Sequence, residues 1–345
     1  MESNVNIGVI GYGYWGPNLV RSFSEISGAK VRTVSDFNPK LLARVQARYP
    51  AIQVTTDCQD IFEDPKIDAV AIATPVSTHF DLALAALKAG KHVMVEKPMT
   101  VTSEQALRLI DEADRRNRVL LVDHTFVYTG AVRKMHELVS SGELGDILYY
   151  DSVRVNLGLF QHDINVLWDL AVHDLSIMSY ILQSKPCAVS ATGISHVPGG
   201  LENIAYLTLF FENNLIAHVH VNWLAPVKVR RTLIGGSQKM IVFDDLEPSE
   251  KIKVYDRGIT INGDAESVYR MLVGYRTGDM WAPQLDMTEA LRTEGLHFLR
   301  CIEHGERPIT GGDAGLQVVK ILEAATESMK KQGQLVELDT VEVAA

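Results

Sequence analysis

The sequence predicts an α/β N-terminal half built on a doubly wound parallel sheet, followed by a C-terminal α+β half with a largely antiparallel sheet. Three observations lead there. An apolar strand, VNIGVI from Val5, runs straight into a glycine-rich turn; strands and helices then alternate regularly as far as Val122; beyond Asp123 several strands follow one another with turn signals between them.

The opening turn is Gly11-Tyr12-Gly13-Tyr14-Trp15-Gly16, with Pro17 suited to a first helical turn. Gly11 serves a tight turn, Gly13 permits close approach of a pyrophosphate, and Gly16 lets the helix pack near the sheet. Ala29 to Ser35 forms the second strand and delivers Asp36, about twenty residues past the last glycine, to its carboxyl end. The combination points to a Rossmann domain that binds a dinucleotide, with phosphates meeting amides at the helix start. Asp36 can accept from both adenosine ribose hydroxyls and repels a 2'-phosphate, so NAD is expected over NADP.

The alternation continues through a strand at Ala69 to Ala73, Thr74-Pro75, a helix near Thr78 to Ala89, a strand at His92 to Val95, a helix at Ser103 to Arg116 and a strand at Val119 to Val122. Glu96-Lys97-Pro98 closes the fourth of these strands, where a lysine can reach both nicotinamide and a substrate oxygen. The expected division is residues 1–122 for the NAD-binding domain and 123–345 for substrate binding and oligomerisation, with a C-terminal helix available to pack onto the first domain.

The second half is expected to hold a helix at Ala131 to Ser141, a strand around Ile147 to Val155 and a helix at Asn165 to Leu182. Strands then follow at Ala188 to His196, Ala205 to Phe211, Leu215 to Trp223, Arg230 to Gly235 and Lys239 to Phe243. Met287 to Ile302 and Gly315 to Met329 have helical periodicity. Asp169 and His173, four residues apart, share a helix face and supply a second half of the site. The chemistry is expected in a cleft between the domains.

Composition narrows the partners. The 345 residues are 46% apolar and carry a net charge of −10, which argues against a general nucleic-acid surface. Cys58, Cys187 and Cys301 are too few and scattered for a disulfide framework, and Asp169 with His173 gives too few ligands for zinc, so no metal is expected. No leader or membrane-spanning run is evident, which gives a cytoplasmic expectation with no membrane partner.

Gly11-x-Gly13-x-x-Gly16, Thr74-Pro75 with His79, Glu96-Lys97-Pro98 and Asp169-x-x-x-His173 together resemble the Gfo/Idh/MocA family of NAD(P)-dependent oxidoreductases, over nearly the whole chain. The chain departs from many members in having Asp163-Ile164-Asn165-Val166-Leu167-Trp168, not a glycine-rich segment, before Asp169. The resemblance implies hydride exchange between nicotinamide and a sugar carbon, with Lys97, Asp169 and His173 as the catalytic set. His173 takes the hydroxyl proton, or Lys97 does so if the site lowers its pKa, and Asp169 sets position or protonation.

Cofactor contacts are expected from Gly11, Gly13, Tyr14, Trp15, Gly16, Asp36, Thr74, Pro75, His79, Glu96 and Lys97. Substrate contacts are expected from His124, Tyr128, Arg154, Gln161, His162, Asn165, Asp169 and His173. Gln161-His162-Asp163 and Gly278-Asp279-Met280-Trp281-Ala282-Pro283 are most similar to sugar-nucleotide dehydrogenases, which favours oxidation at C3 of a UDP-N-acetylhexosamine, with Arg154, Arg230, Arg231 or Arg276 offered for phosphate. A free inositol or aldose dehydrogenase is the enzymatic alternative, and an NAD(H) sensor without turnover the non-enzymatic one. The family resemblance implies a homodimer or homotetramer.

Overall fold

The computed structural model describes residues 5–158, 164–182, 184–261 and 273–338. The chain divides into two compact units. One comprises Met1–Thr129 and Thr288–Lys320, the other Gly130–Met287 and Ile321–Ala345.

The first unit is built on a six-stranded parallel sheet in the order β3-β2-β1-β4-β5-β6, from β1 (Val5–Ile10), β2 (Ala29–Ser35), β3 (Gln53–Thr55), β4 (Ala69–Ile72), β5 (His92–Glu96) and β6 (Leu120–Asp123). The order reverses between β1 and β4, which places the crevice of a doubly wound sheet beyond their carboxyl ends. The central strands β4, β5 and β6 are largely Val, Ile, Leu, Met and Ala because helices cover both faces: all four residues of β4 are buried. The helices are α1 (Gly16–Glu25), α2 (Pro39–Arg48), α3 (Gln59–Glu63), α4 (Val76–Lys88) and α5 (Ser103–Arg115). Asn38 caps α2 by accepting the Lys40 N–H, and Thr102 caps α5 by accepting the Gln105 N–H.

A late segment completes this unit. After α6 (Gly130–Ser140) and α7 (Val172–Leu182) of the second unit, α8 (Ala290–His304) buries Leu291, Phe298 and Leu299 in the same core as Leu19 and Phe23 of α1. The Phe23 and Phe298 rings lie 6.4 Å apart. Burying one such ring contributes about 2–3 kcal/mol, which is how a segment so distant in sequence is held to the nucleotide sheet. Gly312 then starts α9 (Gly312–Lys330).

The second unit holds a nine-stranded sheet in the order β16-β13-β12-β11-β7-β10-β9-β8-β17. Its strands are β7 (Ile147–Leu157), β8 (Ala188–Ile194), β9 (Ile204–Phe210), β10 (Ile216–Asn222), β11 (Leu224–Gly236), β12 (Met240–Asp244), β13 (Ile252–Tyr255), β16 (Met280–Trp281) and β17 (Val336–Glu337), while β14 (Gly258–Ile261) and β15 (Val273–Arg276) pair separately. All pairings are antiparallel except β7 with β10. In β9 and β10 the apolar residues alternate, so Ala205, Leu207, Leu209, Ala217, Val219 and Val221 are buried and their neighbours are not. Among the described residues no helix is long and apolar enough to cross a membrane.

Candidate active site

The glycine turn is fixed on both sides. The Gly11 N–H donates to Ser35 O and the Ala73 N–H to Ile10 O, each at 2.8 Å, so the turn hangs between the ends of β2 and β4. Gly11 has φ +94°, and a Cβ there would lie 2.4 Å from the Ala73 carbonyl oxygen. At Gly16 a Cβ would lie 2.0 Å from the Gly11 carbonyl oxygen. Gly13 is different: a Cβ would meet nothing within 4 Å, and its φ is not positive. Neither the chain's own packing nor its backbone conformation calls for glycine at that position, as expected where a bound pyrophosphate takes the space.

Asp36 closes the same turn. Its carboxylate accepts the Tyr12 N–H at 2.7 Å and the Asn38 N–H at 2.8 Å, which fixes the acid beyond β2. Tyr14 is almost fully exposed, whereas Trp15, the residue before α1, donates its indole N–H to Asp123 at 2.7 Å. On the β4 side, the Thr74 and Thr78 hydroxyls are 2.7 Å apart and Pro75 precedes α4. The buried His79 ring bridges the Pro98 and Thr74 carbonyls at 2.8 Å each, and burial lowers its pKa. His79 thus ties the Glu96-Lys97-Pro98 segment to the Thr74-Pro75 turn.

The Lys97–Pro98 peptide is cis. Glu96 accepts the Lys97 backbone N–H at 3.0 Å and lies opposite Asp123 across β5 and β6. Burial, and then the Asp123 carboxyl, push the Glu96 pKa well above the ordinary carboxyl range, against the pull of Lys97. His124 follows Asp123 and is 1% exposed, and among the described residues neither ring nitrogen has a hydrogen-bond partner. Burial drives its pKa down to about 4, opposed by Asp123 and helped by Lys97. A buried neutral imidazole lacking internal partners, beside Lys97, is suited to a bound ligand.

The second unit supplies Asp169 and His173, and here the expected single helix is interrupted. Leu167–Ala171 form a π-helical turn, and α7 starts at Val172. The wider turn still leaves residues four apart on neighbouring positions of one face, and such turns cluster at functional sites. Asp169 accepts the indole N–H of the fully buried Trp223 at 3.0 Å. Trp223 is itself fixed by its N–H to Asn203 O and by its carbonyl to the Gly158 N–H, both at 2.9 Å. Next to His173, buried Asp174 accepts from Ser152 Oγ and Arg154 Nε, each at 2.5 Å. That pair fastens the start of α7 to β7 and so fixes His173.

Three expected substrate contacts, Arg154, Tyr128 and Asn165, have partners within the fold. Arg154 is 3% exposed because its alternation on β7 points it inward, where Asp174 balances its charge. Tyr128 is buried, its hydroxyl 3.1 Å from Thr310 Oγ1 and its ring beside His297, because the Thr125–Tyr128 3-10 turn packs under α8. Asn165 caps the π turn by accepting the Leu167 N–H at 3.1 Å and donates to Glu202 at 3.2 Å. Gln161 and His162 lie outside the described residues. Sequence reasoning missed Asp123, Trp223, Asp174 and Glu294; only Glu294, an acid at i+3 from Leu291 and i−4 from Phe298 in an apolar stripe, left a legible trace.

Comparison with known proteins agrees with this geometry. The profile of the oxidoreductase family with an NAD-binding Rossmann fold, Gfo/Idh/MocA, matches residues 5–124, and that of the Gfo/Idh/MocA C-terminal domain matches residues 132–242. The chain belongs to the Gfo/Idh/MocA family. It is an NAD(P)-dependent oxidoreductase acting on a CH–OH group. Inositol 2-dehydrogenase 2 of Saccharopolyspora erythraea is 32% identical over 67% of this chain and 71% of that one. Among solved structures, UDP-N-acetylglucosamine 3-dehydrogenase GnnA from Acidithiobacillus ferrooxidans aligns with a TM-score of 0.80 at 26% identity, covering 94% of this chain and 97% of that one. Levoglucosan dehydrogenase, solved with NADH and levoglucosan, aligns with a TM-score of 0.84 at 23% identity over 98% and 100% of the two chains, a likeness of fold.

Proposed function

We propose that this Gfo/Idh/MocA oxidoreductase uses NAD to oxidise a ring hydroxyl of a free polyol or sugar, of the inositol or aldose class. The observation that carries the substrate class is the state of the arginines. Arg154 is paired with Asp174, Arg230 with Asp245 at 3.2 Å, and Arg276 with Asp256, so three of the four arginines offered for a diphosphate already face carboxylates. Similarity to inositol dehydrogenases, four of them with names that specify inositol oxidation, supports the same class.

Bound nicotinamide supplies the hydride acceptor. His173 takes the hydroxyl proton, while Lys97 orients the oxygen and stabilises the charge that develops on it. Asp169, fixed by the Trp223 indole, orients the polar face that His173 shares. In the reverse role, Lys97 acts as the base and His173 orients. His124, with no hydrogen-bond partner among the described residues, offers a hydrogen bond to the ligand. The Asp36 carboxylate at the ribose position favours NAD over its 2'-phosphorylated form.

Oxidation at C3 of a UDP-N-acetylhexosamine is the second reading, supported by similarity to the 3-dehydrogenase structure. The exposed Tyr206, Phe210 and Ile216 support self-association as a homodimer or homotetramer through this sheet. The deciding experiment incubates the protein with NAD and, separately, inositols, aldoses and sugar nucleotides, following NADH and oxidised product. Turnover of a free polyol or aldose is expected. Turnover confined to UDP-N-acetylhexosamine replaces that reading with the second one, and NADH binding with no turnover of any substrate leaves the sensor.

A further inference from the structure

Helix α8 carries an acid inside its apolar stripe. Leu291, Glu294, Gly295 and Phe298 are all buried, and Glu294 is fully so. Its carboxyl meets Asp123 at the end of β6, with Glu96 of β5 and the Thr125 hydroxyl close by. Two buried carboxyls, Asp123 and Glu294, therefore meet beside the half-buried Glu96 of the Glu96-Lys97-Pro98 segment.

The donors in this pocket are unequally divided. Asp123 accepts the Trp15 indole N–H at 2.7 Å and the Thr125 hydroxyl. Glu96 accepts the Lys97 backbone N–H. Among the described residues neither Glu294 oxygen is met by a well-aligned donor. Lys97 supplies the neighbouring positive charge, while His124 is neutral and the buried Tyr128 hydroxyl, close enough to feel Glu294, keeps its proton. Of the other charged groups of α1 and α8, Arg21 pairs with Glu289, Arg292 donates to the Glu25 carbonyl and Arg300 pairs with Glu306, while His297 accepts the Ile309 N–H. Among the described residues no group of acids or histidines is arranged to hold a metal ion. An ionised carboxylate without donors at this depth is strongly disfavoured, and two carboxyls approach closely only when a proton lies between them. Burial first, and then Asp123 and Glu96, push Glu294 well above the ordinary carboxyl range.

We propose that Glu294 is a positioning residue for the dinucleotide turn: its carboxyl O–H donates to Asp123 and so holds Asp123 where it accepts the Trp15 indole. This rests on the dinucleotide reading of the glycine turn. Trp15 lies between Gly13 and Gly16, so a displaced indole displaces the cradle. When Glu294 loses its proton, adjacent anions repel, the Trp15 anchor loosens and dinucleotide affinity falls. The device couples a helix from the far end of the chain to the cofactor loop.

The test measures NADH affinity by fluorescence titration of the full chain, wild type and variants, from about pH 6 to about pH 10. Glu294→Gln keeps a neutral donor, so its affinity is expected to match wild type near neutrality and to persist at any alkaline pH at which wild type weakens. Glu294→Ala is expected to bind about tenfold more weakly across the range, as is Trp15→Phe, which lacks the indole donor. Glu294→Gln is also expected to melt at or above wild type, since no buried acid then has to hold its proton. Wild-type affinity in Glu294→Ala, an alkaline loss in Glu294→Gln parallel to wild type, or a lower melting point with weaker binding in Glu294→Gln overturns the proposal. If wild type itself binds no NADH, the dinucleotide reading falls with it; wild-type binding that no variant alters removes only the role of Glu294.

Discussion

The two units hold their candidate site residues by different means. In the first unit the cofactor turn is shaped by backbone: a Cβ at Gly11 or Gly16 would lie 2.4 or 2.0 Å from a carbonyl oxygen, and strand ends Ser35 and Ala73 hold the turn. In the second unit the candidate Asp169/His173 face is shaped by side chains, with Trp223 gripping Asp169 and Arg154 and Ser152 gripping Asp174 beside His173. A backbone-built site is written into a short stretch of sequence and is sensitive to a single Cβ. A side-chain-built site depends on partners far along the chain and is sensitive to a lost donor or an unpaired charge.

The sharpest division comes from the reacting groups themselves. Lys97→Met and His173→Ala are each expected to lower kcat by about 10³-fold, and His173→Ala to leave NADH affinity close to wild type, read by steady-state turnover and fluorescence titration. Unchanged turnover in either variant removes the role assigned to that residue.

The supporting groups separate the two halves by stability. Asp174→Ala leaves Arg154 buried without its main counter-charge and is expected to cost about 3–5 kcal/mol in denaturant unfolding, and turnover drops with it. In the first unit, Gly11→Ala is expected to lower the melting temperature through its φ of +94° and the carbonyl clash, whereas Gly13→Ala should melt like wild type and lose cofactor affinity. If Gly13→Ala binds NADH normally, the open space beside it is not the pyrophosphate cradle.

A pH effect belongs to the first unit. The folded pKa of His124 is lowered from 6.5 to about 4, so on acidification the unfolded chain takes up that proton first. Stability is therefore lost as pH falls from about 6.5 to about 4, by about 3 kcal/mol from this group, and His124→Gln should flatten that limb in urea unfolding. The smallest expected effect is in the second unit: Trp223→Phe keeps the ring, removes the donor to Asp169, and should lower kcat about tenfold with a displaced pH profile. Loss of folding without any change in the pH profile would make Trp223 a packing residue only.

Much of the architecture was legible because its signals are local. The strand from Val5 into the glycine turn, Pro17 at the start of α1, and β2 ending at Ser35 before Asp36 all fall where alternation, turn chemistry and capping put them. The sequence also placed β7 to β12 to within a few residues, apart from the longer β11, since alternation on a half-buried sheet repeats every second residue. The helix expected over Asn165 to Leu182 was found, but the π turn within it was not, because one extra residue per turn leaves no compositional mark.

By itself, then, the sequence determined the parallel sheet, the dinucleotide turn with Asp36, and the candidates Lys97, Asp169 and His173. Tertiary structure alone decided that β10 runs parallel to β7, that Arg154 turns inward to Asp174, that Trp223 holds Asp169, and that α8 returns Glu294 to Asp123. The physical reason is one of range. Steric and hydrogen-bonding demands act over a few consecutive residues and select amino acids there, whereas the pairing of Glu294 with Asp123 joins groups far apart in the chain, and it exists only once the core around Phe23 and Phe298 has closed.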